Sequence, residues 1–195
     1  MRSAKIDRKT KETQIKVELE LDKFGAVKVS TGIGFFDHML TLLGTHGMMS
    51  FKIQAKGDLE VDRHHTVEDV GIALGTALKE ALGDKRGIAR YGSATVPMDE
   101  ALALCALDFS GRAYLGLELG IKAKKIGDFE VELIEEFLRG LTLSAALTLH
   151  IRTLAGRNSH HIAEVAFKAL GQALAQAVRI DPRRGDQIPS SKGVL

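Results

Sequence analysis

Four of the seven histidines in this 195-residue chain stand as two adjacent pairs, each followed by a glutamate. "VDRHHTVEDVG" holds His64, His65 and Glu68, and "NSHHIAEVAFK" holds His160, His161 and Glu164. On a helix, residues i and i+4 share a face, so His64 with Glu68, and His160 with Glu164, can each chelate one divalent ion. The second histidine of each pair points about 100° away and can complete the other site: His161 that of His64 and Glu68, His65 that of His160 and Glu164. His38 in "FFDHML" and His150 in "LTLHIR" offer one more imidazole for each ion. Three imidazoles and one carboxylate suit an octahedral divalent cation with open positions, as in a catalytic rather than a closed structural site. His65 and Glu68 are also a workable i, i+3 pair, so the set of eight ligands is better defined than its partition. "HExxH" is absent, and Val165 stands where the inverted protease motif needs histidine.

The blander alternative is that histidines in a first helical turn only bond local backbone. Recurrence in register argues against it. Aligning the 19 residues from His64 with those from His160 gives nine identities, among them Ala73/Ala169, Leu74/Leu170, Gly75/Gly171 and Leu78/Leu174. The chain therefore reads as an internal duplication: one domain, 1–195, with halves of about 1–90 and 91–180 and a C-terminal tail, 181–195. Asp62 or Thr66, and Asn158 or Ser159, are candidate helix caps, and Gly83 and Asp181-Pro182 candidate stops. Both helices are apolar on most sides and are expected to be buried. "IKVELEL" alternates strictly, as a half-wet strand does. "FKIQAK", "ALALCALDF", "AYLGLEL", "FEVEL" and "LTLHIR" are further strand candidates, and "GFFDHMLTLLGTHG" and "IEEFLRGLTLSAA" add one helix per half. The expected class is α+β, built from a duplicated α/β unit.

Composition narrows the function classes. The chain is 45% apolar and 27% charged with net charge +2, ordinary for a folded domain and no strong pull toward nucleic acid. It has no Trp and 5% aromatic residues, so a basic-aromatic nucleic-acid face is not expected. The single cysteine, Cys105, reads as a small buried hydrophobe and fits a reducing, cytoplasmic setting. The first residues lack a secretory apolar core, and no window reaches the ~20 apolar residues of a membrane span.

Longer motifs add to this reading. "TKET" (10–13), "TGIGFFDHML" (31–40), "GDLEVDRHHTVEDVGIALG" (57–75), "ALGDKRGIARYG" (81–92), "PMDEAL" (97–102), "LDFSGRAYL" (107–115), "HHIAEVAFKAL" (160–170) and "PSSKGVL" closely resemble the imidazoleglycerol-phosphate dehydratase family. That resemblance implies a helical bundle between two mixed four-stranded sheets, two Mn²⁺ ions per active site, and a homo-oligomer of roughly 24 subunits with sites between protomers. It implies metal ligation by His38, His64, His65, Glu68, His150, His160, His161 and Glu164, the set that the repeat had reached. It also implies substrate contacts from Glu12, His46, Arg90, Arg112, Lys168, Ser190, Ser191 and Lys192, with the ligands His38, His64, His65, Glu68, His160 and His161 facing the same molecule. The departures, Arg63, "MMSFKI" after Gly47, and Ala113 where proline is common, remove no ligand.

The implied reaction dehydrates imidazoleglycerol phosphate to imidazoleacetol phosphate. Its difficulty is that the C2 proton has no neighbouring carbonyl to acidify it. An imidazole ring held between two Mn²⁺ ions would lose its N–H as imidazolate, expel the C3 hydroxyl, and leave a diazafulvene with an acidic C2 proton. Glu12 is the candidate proton carrier, and Asp99 and Glu100 are candidate supporting groups. Arg90, Arg112, Lys168 and Ser190-Ser191-Lys192 would hold the phosphate. A dimetal phosphate-ester hydrolase is the alternative chemistry for two open ions. "GIG" at 32–34 is a turn rather than a dinucleotide fingerprint, because Asp37 replaces the third glycine.

Overall fold

The computed structural model describes residues 1–193. Alternation in the first segment produces β1 (Ser3–Lys9) and β2 (Thr13–Glu20), an antiparallel hairpin in which Ile15, Val17 and Leu19 turn inward. β3 (Val27–Ser30) runs parallel to β4 (Ser50–Gly57), and α1 (Gly34–His46) is the crossover between them. With α2 (His64–Leu82) the first half closes as a four-stranded sheet of order β1-β2-β4-β3 under two helices.

The second half repeats the plan. β5 (Tyr91–Met98) and β6 (Ala101–Asp108) form the hairpin, and β7 (Tyr114–Glu118) crosses to β10 (Thr148–Ala155) through α3 (Leu133–Ala145). α4 (Ser159–Val178) follows, and the sheet order is β5-β6-β10-β7. Two short strands, β8 (Lys125–Ile126) and β9 (Phe129–Glu130), are inserted before α3. "FEVEL", expected as a strand, contributes only Phe129 and Glu130, because α3 begins at Leu133. β1, β3 and β5 had not been anticipated, and each lies at a sheet edge.

α2 covers β1 and β2 while α4 covers β5 and β6. Across the helical layer α2 packs on α3 and α1 on α4, so α2 and α4 lie diagonally. The duplicated Gly75 and Gly171 make these crossings close. A Cβ on Gly75 would sit 2.5 Å from the Leu141 carbonyl oxygen, and one on Gly171 2.7 Å from that of Leu43. One continuous core, including Phe36, Phe51, Phe137 and Phe167, joins both halves. Among the described residues no helix is long and apolar enough to cross a membrane.

Candidate metal centre

The N-terminus of α4 is set by Asn158, whose Oδ1 accepts the His160 amide N–H at 2.9 Å. This puts His160 on the first turn and Glu164 one turn further on the same face. α1 delivers His38 to that face. Glu164 Oε1 lies 2.8 Å from His38 Nε2 and 2.9 Å from His160 Nε2, and one donor atom from each of the three residues falls within 4.8 Å of the others. Burial pushes the Glu164 carboxyl up, but Lys168 (2.9 Å from Oε2), His38 and His160 outweigh it and hold the group down at about 2. A cleft of about 510 Å³ opens beside His38 and His160, walled by Phe35, Arg63 and Phe129. Two imidazoles and an ionised carboxylate at this spacing fit a divalent cation.

The equivalent end of α2 is capped in the same way, with the His64 amide N–H donating to Asp62 Oδ1 at 2.7 Å. His64 and Glu68 share a face, yet among the described residues no third ligand joins them, because α2 and α4 are diagonal. Of the two histidines outside the repeat, His38 is the fifth residue of α1, matched by buried Phe137 in α3. His150 is the third residue of β10, matched by Lys52 in β4. Of these two, His38 alone joins other candidate ligands among the described residues.

The second histidine of each pair turns toward a carboxylate. His65 Nδ1 lies 3.0 Å from Asp58 Oδ2, and His161 Nδ1 lies 2.8 Å from Glu100 Oε2. Each contact raises its imidazole above the ordinary value. Glu100 is held down at about 2, chiefly by His161 and then by the Asn158 N–H. Glu100, a candidate supporting group, is thus in direct contact with His161. Asp99 lies 3.9 Å from His161 Nδ1 and is mostly exposed. Asp58 was missed, since it sits in a loop seven residues before His65, where no helical spacing points to it.

His150 faces away from the helices. Its neighbours Leu149 and Ile151 point inward, and its ring lies over Gly116 beside Tyr114, at 5.2 Å between ring centroids. The two outer sheet faces also differ. That of the first sheet carries Lys5, Asp7, Lys16, Glu18, Lys28, Lys52 and Lys56, whereas that of the second has an apolar centre, Leu102, Leu104 and Ala106, between Ser93, Thr95 and Pro97 on one side and His150 and the Arg152–Glu118 pair on the other.

A family model for imidazoleglycerol-phosphate dehydratase matches residues 31–174. The chain belongs to the imidazoleglycerol-phosphate dehydratase family. It is 58% identical over 194 residues to the imidazoleglycerol-phosphate dehydratase of Moorella thermoacetica, covering all of this chain and 98% of that one. The crystal structure of the Pyrococcus furiosus protein superposes with a TM-score of 0.85 at 40% identity, covering 97% of this chain and all of the other. For the Staphylococcus aureus dehydratase the TM-score is 0.83 at 38% identity, covering 92% and 99%.

The dehydratase resemblance had also nominated substrate contacts. Glu12 is exposed in the β1–β2 turn and directly precedes β2. That turn is anchored from below. Thr10 Oγ1 accepts the Glu12 and Thr13 N–H groups at 3.1 and 2.9 Å, and the Thr13 hydroxyl donates to buried Asp69 on α2. Arg8 completes the anchor with Nη2 2.8 Å from Asp69 Oδ1. His46 ends α1, and burial, then the nearby Lys168 ammonium, push its imidazole down. Arg90 adopts a left-handed φ of 75°, held by a two-point pair with Asp108 (2.6 and 3.0 Å) and a bond to the Pro189 carbonyl at 2.7 Å. Its charge is thus partnered, and it fixes the tail immediately before Ser190. The tail is further tied by Gly87 N–H to the Gln187 carbonyl and Arg86 to that of Asp186. Ser191 and Lys192 are exposed, Ser190 Oγ accepts the Lys192 N–H at 3.2 Å, and Arg112 is exposed beside Ser110.

Proposed function

We propose that this chain, a hydro-lyase by family, dehydrates imidazoleglycerol phosphate to imidazoleacetol phosphate in cytoplasmic histidine biosynthesis. It does so with two Mn²⁺ ions at sites built between copies of a homo-oligomer of roughly 24 subunits. The observation that carries this reading is the convergence of His38, His160 and Glu164, together with the same residue types at the start of α2. When bound, the divalent ions supply the positive charge that lets the substrate's imidazole ring release a proton. The separation of His64 and Glu68 from the α4 cluster, and the outward aim of His150, support a site completed by a second copy.

The remaining work falls to the chain's own groups. Glu12 takes the substrate's C2 proton, from a turn fixed to the helix that bears His64 and His65. Lys168 and Arg112 meet the phosphate with the hydroxyls of Ser190 and Ser191 and the Lys192 ammonium, while Arg90 holds the 181–195 tail in place. His46 stays neutral near Lys168 and lines the same region. The direct test strips metal, restores Mn²⁺, follows ketone formation from imidazoleglycerol phosphate and counts bound ions. About two ions per chain with full activity is expected. Full loading without ketone, or release of phosphate from simple monoesters, overturns the proposal in favour of a hydrolase.

A further inference from the structure

The hairpin turns of the two halves are equivalent positions with different occupations. Glu12 is the residue before β2, and Glu100 is the residue before β6. Glu100 is fully engaged: Oε2 meets His161 Nδ1 at 2.8 Å, and Oε1 accepts the N–H groups of Arg157 and Asn158 at 3.2 and 2.8 Å. Glu12 makes no side-chain contact of this kind among the described residues, and its counterpart of His161, His65, is held instead by Asp58. Asp58 is the residue after β4, and the residue after β10 is Gly156, which has no side chain to offer. Each half therefore has one carboxylate on its second histidine, drawn from a different loop.

We infer that Asp58 and Glu100 are positioning residues that fix His65 and His161 with the proton on Nδ1 and Nε2 aimed outward as the ligand atom, and that the use of Asp58 in the first half leaves Glu12 free for proton transfer. The inference rests on the metal reading of the site. Its physical content is that an imidazole can present only one lone pair, and the carboxylate at Nδ1 decides which nitrogen keeps it. Without that partner the ring populates both tautomers and rotates, and metal affinity falls. The contacts differ in one testable respect. Glu100 Oε1 is fixed by two backbone donors, so Glu100→Gln must present its NH₂ to Nδ1 and drive the proton to Nε2. Asp58 Oδ1 is buried with no partner, so the amide of Asp58→Asn can turn its oxygen to Nδ1 and preserve the tautomer.

The experiment measures Mn²⁺ affinity by electron paramagnetic resonance of free Mn²⁺, and reads the tautomers of ¹⁵N-histidine-labelled metal-free protein by solid-state NMR, on the whole assembled protein. Glu100→Gln and Asp58→Ala should raise the Mn²⁺ dissociation constant about 10- to 100-fold. They should shift one histidine's proton from Nδ1 toward Nε2 with the assembly intact. Asp58→Asn should stay within about threefold of the parent, as its oxygen can replace the lost one. A Glu100→Gln protein with parental affinity and an unmoved His161 proton overturns the inference, as does an Asp58→Asn effect as large as that of Asp58→Ala. A parent that binds no Mn²⁺ overturns the metal reading instead, and the metal-free tautomers tell the two failures apart.

Discussion

Asp69 and Val165 occupy the same position in the two copies of the long helix, and only Asp69 is charged. Its partners diverge with it. Arg8 pairs with the third residue of β2, as Val96 pairs with the third of β6, and Thr13 begins β2 as Ala101 begins β6. The second half builds the same hairpin on the same helix with Val96, Ala101 and Val165. The hairpin topology therefore does not itself require the charged set, and in the first half that set ties the turn that carries Glu12 to α2. Replacing Arg8, Thr13 and Asp69 together by Val, Ala and Val should leave the metal-free stability within ~2 kcal/mol of the parent, because a buried pair exchanged for packed apolar groups is close to neutral. Turnover should fall at least tenfold. Asp69→Val alone leaves the part-exposed Arg8 guanidinium and the buried Thr13 hydroxyl without their partner and should cost about 1–2 kcal/mol. Calorimetric melting and steady-state kinetics separate the two.

Glu12→Gln removes the proposed proton carrier with little change of shape. We expect Mn²⁺ and substrate affinity near parental values and a loss of about 10²- to 10⁴-fold in kcat. Near-normal turnover would remove Glu12 from the mechanism.

The glycines at the two helix crossings leave no room for a methyl group. Gly75→Ala and Gly171→Ala should each lose about 1–3 kcal/mol by pushing the helices apart, even though alanine favours the helix by up to ~1 kcal/mol. Equal effects at both positions are expected from the duplication, and thermal unfolding of each variant is the check.

Asp22 links the chain's beginning to the end of α4. Arg2 donates to Asp22 from Nε and Nη2 at 2.8 and 2.6 Å, and from Nη1 to the Val178 carbonyl. The guanidinium bond, against some burial, holds the Asp22 carboxyl below its ordinary value. The stabilisation is therefore complete above the unfolded carboxylate pKa near 4 and is lost as pH falls through the lower folded value. Both side chains reach solvent, so Asp22→Asn should cost only about 0.5–1 kcal/mol at pH 7. The difference from the parent should vanish in acid melts well below pH 4.

Removing residues 190–195 should raise the substrate Michaelis constant at least tenfold while Mn²⁺ binding is retained, since the proposed phosphate donors leave and the ligand set stays. Arg90→Lys should reproduce part of that rise, because an ammonium cannot keep both the Asp108 pair and the Pro189 carbonyl. An unchanged constant in the truncated protein would take the tail out of the site.

The doubled histidines were legible because helical spacing is a strong local rule, whereas the choice of Asp62 over Thr66 and of Asn158 over Ser159 is made by the fold. The strands that escaped notice, β1, β3 and β5, are edges whose wet faces carry Lys, Ser, Thr and Pro97, residues that blur alternation and that edges tolerate. Asp58 escaped because a loop residue reaches a helical histidine through tertiary folding, which sequence spacing does not encode. His150 is the instructive case. The alternation in "LTLHIR", with Leu149 and Ile151 inward, already placed His150 on the far side of its sheet, but counting ligands per ion drew attention away from that period. Spacing nominates the paired donors, and the diagonal arrangement of α2 and α4 keeps the two sets apart among the described residues.

The unlike outer walls of the two sheets make the subunit resemble a tile glazed on one side. Covering the apolar centre would take hydrophobic surface out of water, whereas the first sheet's wall, with Lys5 paired to Glu18 and Lys16 to Asp7, gains little from being covered. The two copies therefore share a plan but not a surface: one outer sheet face meets water with charge, while the other offers it an apolar centre.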